Sequence, residues 1–381
     1  MSIQIDHDFP GGNIVVEKID GDEIWLRQDL RDTVGNWFYW AFRLRLSSAE
    51  ADSARTLKIH FTGSRVIGTR GPSVSTDRGN SWHWLGTGCV QENSFLYQTI
   101  PAVAEYRFAM GLPYVGSNLR EFLATRKSHP NLAVETLCSD RSGRPIERLR
   151  LGKLYGEPRF RLLLTARHHC CETTPNFVLE GLIDAALADE DLGRWFRTSM
   201  EAWIIPFMDK DGVEAGDQGK NRSPHDHNRD YVGTPGLYPA VRALREQVPA
   251  WSQGLLRVAL DLHCPGIRGL WHEHIYFVGT ENTANWDAVT AFSRILERVR
   301  CSPLPFATAE NLPFGTAWNT GSPPSLMSFS RWAESLPGMR MATSFEIPYA
   351  NCKEVTVTPE AARAFGRDLL WALQEYLEQP V

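Results

Sequence analysis

The segment LLLTARHHCCE, residues 162–172, constrains the fold of this chain more than any other. It opens with a run of mainly apolar residues, which predicts a strand buried in the interior. Histidine, cysteine and glutamate side chains follow directly, and each of these types binds metal ions. In a chain where strands and helices alternate, a strand that ends in such a cluster predicts a chemical site at the carboxyl edge of a sheet.

Two different patterns divide the 381 residues and predict two domains. Residues 1–112 contain short strand-like runs separated by turns with glycine, aspartate and serine, a pattern typical of an all-β sandwich domain. Residues 113–381 alternate strands with helices. This second pattern predicts an α/β catalytic domain with a mostly parallel, mixed sheet flanked by helices.

Charge and hydropathy exclude several classes of partner. The formal net charge is −5 and the basic residues are scattered, so we expect no surface that binds nucleic acid. No apolar run reaches the roughly 18 residues of a membrane helix, and the first residues, MSIQIDHDFPGG, do not resemble a secretory signal. The seven cysteines are irregularly spaced, which favours reduced thiols. We therefore expect a cytoplasmic protein with no nucleic-acid or membrane partner.

Two strand ends supply candidate metal ligands. His169 and Glu172 are three residues apart, so they can point at one ion where the chain coils after the strand. His168 lies four residues before Glu172, and spacing alone leaves both histidines open. His263 ends a second apolar run, LLRVALDLH, although a hydrogen-bonded core histidine is the alternative interpretation. Histidine and carboxylate ligands suit zinc, which in catalytic sites commonly has three protein ligands and one open position.

A long polar loop follows the predicted strand EAWIIPFMD. Its sequence, DKDGVEAGDQGKNRSPHDHNRDY, is too polar for a core and unusually long for a connection. The loop carries Arg222, Asp226, Asn228 and Arg229. Two arginines and an amide near a metal ion could bind a carboxylate and polarise a carbonyl group. A solvated surface loop is the alternative.

Glu346 lies inside the apolar strand ATSFEIPY. Burial of a carboxylate in such a strand is costly unless the group has a partner or a role. A salt bridge to a core arginine would provide a partner. A buried carboxylate close to a metal could instead act as a general base that accepts a proton from water.

Taken together and in this order, these segments resemble the zinc carboxypeptidase family, and in detail its cytosolic carboxypeptidase branch of bacterial type. ARHHCCET resembles the HxxE segment of the family, DLHCP the segment of the third ligand, DHNR the DxNR motif, and SFEIPY the strand of the general-base glutamate. WFYWAFRLRL and FAMGLPYVGSNLREFL resemble the sandwich and its junction, so the resemblance covers nearly the whole chain. It implies one zinc ion per chain on His169, Glu172 and His263, with His168 left aside.

The resemblance also implies the remaining roles at the site. Glu346 would be the general base, and Asn228 and Arg229 would hold the terminal carboxylate of the substrate. Asp226 would support the first zinc histidine from behind. Arg222 is the candidate for the arginine that binds the substrate and polarises its scissile carbonyl group.

The sequence departs from the family pattern in three places. Arg222 lies closer to the pair of Asn228 and Arg229 than the carbonyl-polarising arginine of the family does. The digestive members use a mobile tyrosine upstream of the general base, whereas the segment SPPSLMSFSR has no tyrosine. Cys170 and Cys171 replace smaller residues between the first two ligands, and we interpret them as packing residues.

We therefore expect a zinc-dependent metallocarboxypeptidase that hydrolyses the C-terminal peptide bond of peptides or proteins. One alternative is a zinc-dependent deacylase of N-acyl amino acids, like the related aspartoacylase-like enzymes. Another is a non-catalytic module that binds C-termini. The branch is associated with acidic terminal residues, and Arg331 or Arg340, shortly before Glu346, could pair with an acidic side chain. The alternative is that both arginines face solvent.

Overall fold

The computed structural model describes residues 3–233 and 236–379. Ten short strands in the first 109 residues form two five-stranded sheets. In chain order the elements are β1 (Gln4–Asp6), β2 (Val15–Asp20), β3 (Glu23–Arg27), β4 (Ala41–Arg45), α1 (Ser48–Ala51), β5 (Thr56–Phe61), β6 (Ser73–Ser75), β7 (His83–Trp84), β8 (Val90–Gln91), β9 (Ser94–Gln98) and β10 (Glu105–Ala109). One sheet has the order β1-β4-β10-β6-β7 and the other β2-β3-β5-β9-β8.

Apolar residues on the inner faces join the two sheets. Ile24 and Leu26 of β3 are fully buried from one sheet, and Phe42 of β4 and Phe108 of β10 from the other. All four belong to one core cluster, in which the Phe42 and Phe108 rings lie 5.2 Å apart. Ile24 and Leu26 are separated by the less buried Trp25, and Phe42 and Phe108 are directly paired across neighbouring strands, so each pair lies on one face of its sheet, as two packed sheets require. The predicted all-β sandwich is confirmed.

The rest of the chain forms a seven-stranded sheet with helices. Its elements in chain order are α2 (Gly116–Ala124), β11 (Leu132–Ser139), β12 (Pro145–Gly152), β13 (Phe160–Ala166), α3 (Thr174–Leu187), α4 (Asp191–Ser199), β14 (Met200–Ile205), α5 (Lys210–Ala215), α6 (Pro239–Ser252), β15 (Leu256–His263), β16 (Tyr276–Val278), α7 (Thr283–Val299), α8 (Phe329–Ala333), β17 (Met341–Glu346), β18 (Asn351–Cys352), β19 (Val355–Thr356) and α9 (Pro359–Glu378). The short strands β18 and β19 pair only with each other among the described strands.

The large sheet has the order β11-β12-β14-β13-β15-β17-β16. Its centre is parallel: β13 pairs with β14 and β15, and β15 pairs with β17. The strands on the two sides are antiparallel to their neighbours. Because parallel strands end at the same edge, the carboxyl ends of β13, β15 and β17 meet there. The predicted α/β domain with a mixed sheet is confirmed.

Helices cover both faces of this sheet, and β13 shows why its sequence is almost continuously apolar. Leu162 and Leu164 pack in a cluster with residues of α3 and α9, whereas Leu163 packs on the other face with residues of α6 and α8. Every residue of β13 is buried. A central strand covered on both faces requires this composition.

The sandwich packs close to the carboxyl edge of the large sheet. Cys171, Cys264 and Tyr349 come from the α/β part of the chain but belong to the core cluster of the sandwich. The strand β10 ends at Ala109 and α2 begins at Gly116, while the domain boundary at residue 112 stays a prediction. No helix of the described residues is long and apolar enough to span a membrane.

Candidate metal centre and active site

The turn after β13 begins with an uncommon backbone conformation. Arg167 has a φ of 62°, in the left-handed region that few residues other than glycine occupy. Its buried guanidinium donates from Nε to the carbonyl oxygen of Cys170 at 2.8 Å and from Nη1 to that of Tyr114 at 2.9 Å. Nη1 also donates to Asn176 Oδ1 at 2.9 Å. These bonds fix the turn that carries the first two candidate ligands.

Three side chains from the ends of β13 and β15 converge at one point: His169, Glu172 and His263. One Glu172 oxygen lies 3.1 Å from His169 Nδ1, and the other lies 2.7 Å from His263 Nδ1. Zinc bonds of about 2 Å place tetrahedral ligand atoms about 3.3 Å apart, so this donor set fits a single ion. Cys170 and Cys171 are buried free thiols, and within the described part of the chain neither joins the group.

His168 points to different partners. Its Nδ1 lies 2.7 Å from Asp261 Oδ1, and its Nε2 lies 2.7 Å from the hydroxyl of Tyr231. Asp261 Oδ2 is in turn 2.6 Å from Nε2 of His263. His168, Asp261 and His263 form a second group of potential ligands, but both nitrogens of His168 already have hydrogen-bonding partners. We interpret this network as a support that orients His263.

Asp261 was missed in the sequence, although a signal for it exists. It lies two residues before His263 on β15, so the two side chains share one face of the strand. The carboxyl is fully buried, and burial raises its pKa. His168 and His263 more than offset burial, so that the pKa of Asp261 lies below its usual value.

Asp226 lies behind His169. Its Oδ1 is 3.8 Å from Nε2 of His169, the ring nitrogen opposite the one that faces Glu172. Burial raises the pKa of the Asp226 carboxyl, but the neighbouring His169 side chain outweighs burial and holds this pKa below its usual value. A carboxylate in this position can orient a histidine that binds a metal.

Glu346 ends β17 and is directly paired with His263 in the register of β15 and β17. The side chain is buried, and burial raises the pKa of its carboxyl to about 7. Its Oε2 has no hydrogen-bond partner among the described residues. A carboxylate with a free oxygen and a pKa near neutrality is suited to accept a proton from water.

A cavity of about 120 Å³ lies beside this cluster. Asn228 lines the cavity and is fixed on both sides, because its Oδ1 accepts from the Phe329 backbone at 2.9 Å and its Nδ2 lies 3.2 Å from His263 Nε2. Arg229 also lines the cavity and donates from Nη1 to the Asn228 carbonyl oxygen at 2.9 Å. A guanidinium has five N–H donors, so Arg229 can also bind a carboxylate in the cavity.

The structure does not bring Arg222 to the cluster. Its Nε lies 3.1 Å from Asp32 Oδ2, and its Nη2 lies 2.8 Å from Asp209 Oδ2 and 3.0 Å from Asp217 Oδ2. Arg222 is not among the residues that line the cavity beside the cluster. Three carboxylates thus hold its charge in an ion-pair network, which departs from the expectation that it polarises a carbonyl group of the substrate.

Lys220, from the same loop, reaches the cluster. Its Nζ lies 2.6 Å from Glu172 Oε1 and 4.7 Å from the centre of the Trp37 ring. Burial lowers the pKa of this ammonium, but Glu172 outweighs burial and the pKa lies above its usual value. Lys220 therefore stays charged at neutral pH. The sequence gives little indication of this placement, because a lysine in a polar loop is ordinarily solvated, and the only signal is its position two residues before Arg222.

The two arginines proposed for an acidic pocket lie in different places. Arg331 lines the cavity, where its Nη2 is 2.8 Å from Glu281 Oε2. Arg340 is not among the lining residues and lies with its guanidinium carbon 5.8 Å from the centre of the Phe160 ring. Glu281 and Asn319 also line the cavity, together with small and aromatic residues that include Thr280, Phe314, Trp318, Ser328, Ser330 and Ser344.

Comparison with known proteins finds relatives among the cytosolic carboxypeptidases. No protein-family model matches the chain. It is 24% identical to cytosolic carboxypeptidase 6 of Caenorhabditis elegans over 67% of this chain and 61% of that protein. It is 29% identical to cytosolic carboxypeptidase 3 of Mus musculus over 37% of this chain. The chain thus spans 61% and 15% of the lengths of these two relatives.

A solved structure covers the whole molecule. The metallo-carboxypeptidase from Burkholderia cenocepacia superposes with a TM-score of 0.79 at 20% sequence identity and covers 99% of both chains. This likeness shows the fold. The resemblance predicted from the motifs is confirmed: the chain is similar in sequence to cytosolic carboxypeptidases and in fold to a metallo-carboxypeptidase.

Proposed function

We propose that this chain is a zinc-dependent metallocarboxypeptidase that removes the C-terminal residue of peptides or proteins. The observation that carries the proposal is the sharing of one cavity. His169 and His263, two of the three converging ligands, line the cavity together with Glu346 and Arg229. Hydrolysis at a free C-terminus needs three groups at one place: a metal-binding group, a base and a guanidinium that binds a carboxylate.

One zinc ion per chain would be held by His169, Glu172 and His263 and would supply a Lewis acid that activates water and polarises a carbonyl group. Glu346 accepts the proton of the attacking water, because its second oxygen is free and its pKa of about 7 suits proton exchange near neutrality. The protonated carboxyl then returns the proton to the leaving amine. Asp226 keeps the imidazole of His169 in orientation during these steps.

Asn228 and Arg229 would bind the free carboxylate of the last residue of the substrate. Arg229 can form two parallel charge-assisted hydrogen bonds with it, and the Asn228 side chain is held in place by Phe329 and His263. Binding at this point restricts cleavage to chain ends, because the scissile bond is then one residue away from a fixed charge. The cytoplasmic setting expected from the sequence stays a prediction.

The preference for an acidic terminal residue rests on Arg331. Arg331 lines the cavity, and its Nη2 forms an ion pair with Glu281 Oε2 at 2.8 Å. An acidic side chain in the cavity would compete with Glu281 for the guanidinium. We therefore expect a moderate preference for acidic residues rather than an absolute one.

The test is incubation of the zinc-loaded protein with unblocked peptides and with N-acetyl amino acids, followed by mass spectrometry. Loss of single residues from peptide C-termini, with the N-acetyl compounds left intact, is the expected result. Hydrolysis of the N-acetyl compounds alone would indicate a deacylase. Peptide binding without release of any residue, with zinc bound, would indicate a non-catalytic module.

A further inference from the structure

One buried cation beside the three candidate metal ligands has no role in the mechanism above. The side chain of Lys220 is 11% exposed, and its ammonium group lies 2.6 Å from Glu172 Oε1. The ring of Trp37, from the sandwich part of the chain, covers the ammonium on another side at 4.7 Å. An ammonium group has three N–H donors, and Glu172 takes one of them. A buried, charged donor next to a metal-binding carboxylate is costly to maintain without a function.

The loop that carries Lys220 is fixed by contacts with the sandwich. The two carboxylate oxygens of Asp32 accept from the backbone of Gln218 at 2.9 Å and of Gly219 at 2.8 Å. The Gln218 side chain pairs with the backbone of Tyr39 through two hydrogen bonds of 2.8 Å. Gly219 has a φ of 74°, and a Cβ there would lie 2.4 Å from the backbone nitrogen of Cys170. The backbone just before Lys220 is therefore held in one conformation against the turn that carries His169 and Glu172.

The other cation of the loop is already committed. Arg222 is paired with Asp32, Asp209 and Asp217 at distances between 2.8 and 3.1 Å. Three carboxylates around one guanidinium more than neutralise its positive charge, so Arg222 has little net charge to offer to a developing oxyanion. Lys220 is likewise not among the residues that line the cavity, but in contrast to Arg222 its ammonium is paired directly with the candidate ligand Glu172.

We propose that Lys220, and not an arginine, is the catalytic cation that binds the scissile carbonyl oxygen and stabilises the negative charge that develops on it. This inference rests on the proposed carboxypeptidase function. The donors of Lys220 that are not used by Glu172 bind the oxygen, and the sandwich holds the lysine in position through Asp32 and Trp37. The sandwich then completes the active site. A preorganised charged donor at a developing oxyanion is typically worth about 10²–10³-fold in kcat.

The test compares three variants. Lys220→Met removes the charge but keeps the length of the side chain, and Lys220→Arg keeps a charge. Lys210→Met is the matched control, because Lys210 is also buried, lies 4.5 Å from the Phe207 ring centre and is paired with Glu147 at 3.0 Å. For each variant we would measure zinc content, kcat and KM on a peptide, and the affinity for a phosphonate peptide, whose tetrahedral anion resembles the attacked carbonyl group.

Lys220→Met is expected to keep its zinc, to lose about 10²-fold or more in kcat with little change in KM, and to lose affinity for the phosphonate by a similar factor. Lys220→Arg should recover part of both losses, and Lys210→Met should match the wild type. Unchanged phosphonate affinity in Lys220→Met would overturn the proposal. Loss of zinc from Lys220→Met would overturn it too, because the lysine would then act only by supporting Glu172. A wild-type protein that releases no residue from any peptide would refute the proposed function itself.

Discussion

His263 and Glu346 occupy directly paired positions at the carboxyl ends of two neighbouring parallel strands. The pairing brings a candidate metal ligand and a candidate base to the same point, although 82 residues lie between them in the sequence. The hydrogen-bonded ladder between β15 and β17 fixes their separation. The relative position of these two groups therefore depends on the register of the central strands.

The first prediction concerns metal content. His263→Ala should lose most of its zinc, because two of three ligands do not close a tetrahedral site. His225→Ala serves as control, since His225 pairs with Asp230 and does not join the cluster. Metal analysis of the purified proteins should give one zinc per chain for wild type and control. Full zinc in His263→Ala would mean that another side chain, such as His168, completes the site.

A second prediction isolates the base. Glu346→Gln keeps the shape of the side chain but cannot accept a proton, so turnover should fall by about 10²–10⁴-fold. Zinc content and peptide affinity should remain close to wild type. Near-normal turnover with zinc bound would remove Glu346 from the mechanism.

The raised pKa of Glu346 also predicts a pH dependence of stability in the chelated, metal-free protein. A carboxyl whose pKa rises from 4.5 to about 7 on folding contributes stability below pH 4.5, and this contribution is lost as the pH rises through 7. Relative to Glu346→Gln, the wild type should lose up to about 3 kcal/mol in its free energy of unfolding across this interval. Denaturant titrations of both proteins at pH 4.5, 6 and 8 would measure the difference. Parallel pH profiles would contradict the raised pKa.

The expected preference for an acidic terminal residue leads to a prediction that distinguishes Arg331 from Arg340. The wild type should have a higher kcat/KM for a peptide ending in glutamate than for those ending in leucine or lysine. Arg331→Ala should reverse the preference toward lysine, because Glu281 is then left unpaired in the cavity. Arg340→Ala is the control and should leave the ratio unchanged. Faster release of leucine or lysine by the wild type would rule out the acidic pocket.

The convergence of the candidate ligands could be predicted because they lie at the ends of apolar strands. His263 and Glu346 each follow a run that reads as a buried strand, and parallel strands end at one edge. Spacing could not distinguish His168 from His169, because both are within reach of Glu172, and only the resemblance to the family favoured His169. The distinction depends on Asp261 and Tyr231, which contact His168 only in the folded chain.

The ion-pair network around Arg222 could not be predicted, for a related physical reason. The residues that hold Arg222 come from separate segments, and Asp32 lies 190 residues away in the sandwich. Sequence proximity to the DHNR motif cannot reveal such a network. Nor can it reveal Trp37, which covers Lys220 from the same distant region. Contacts between the sandwich and the loop therefore determine that Lys220, and not Arg222, is paired with the candidate ligand Glu172.

The proposed function requires that this protein cleave only at a free C-terminus. One pair of substrates tests this requirement. A peptide with a free C-terminal carboxylate and its C-terminal amide would be incubated with the zinc-loaded protein and followed by mass spectrometry. The free peptide should lose its last residue, and the amide should remain intact, because it cannot form the charge-assisted contact with Arg229. Equal cleavage of both peptides would contradict the account.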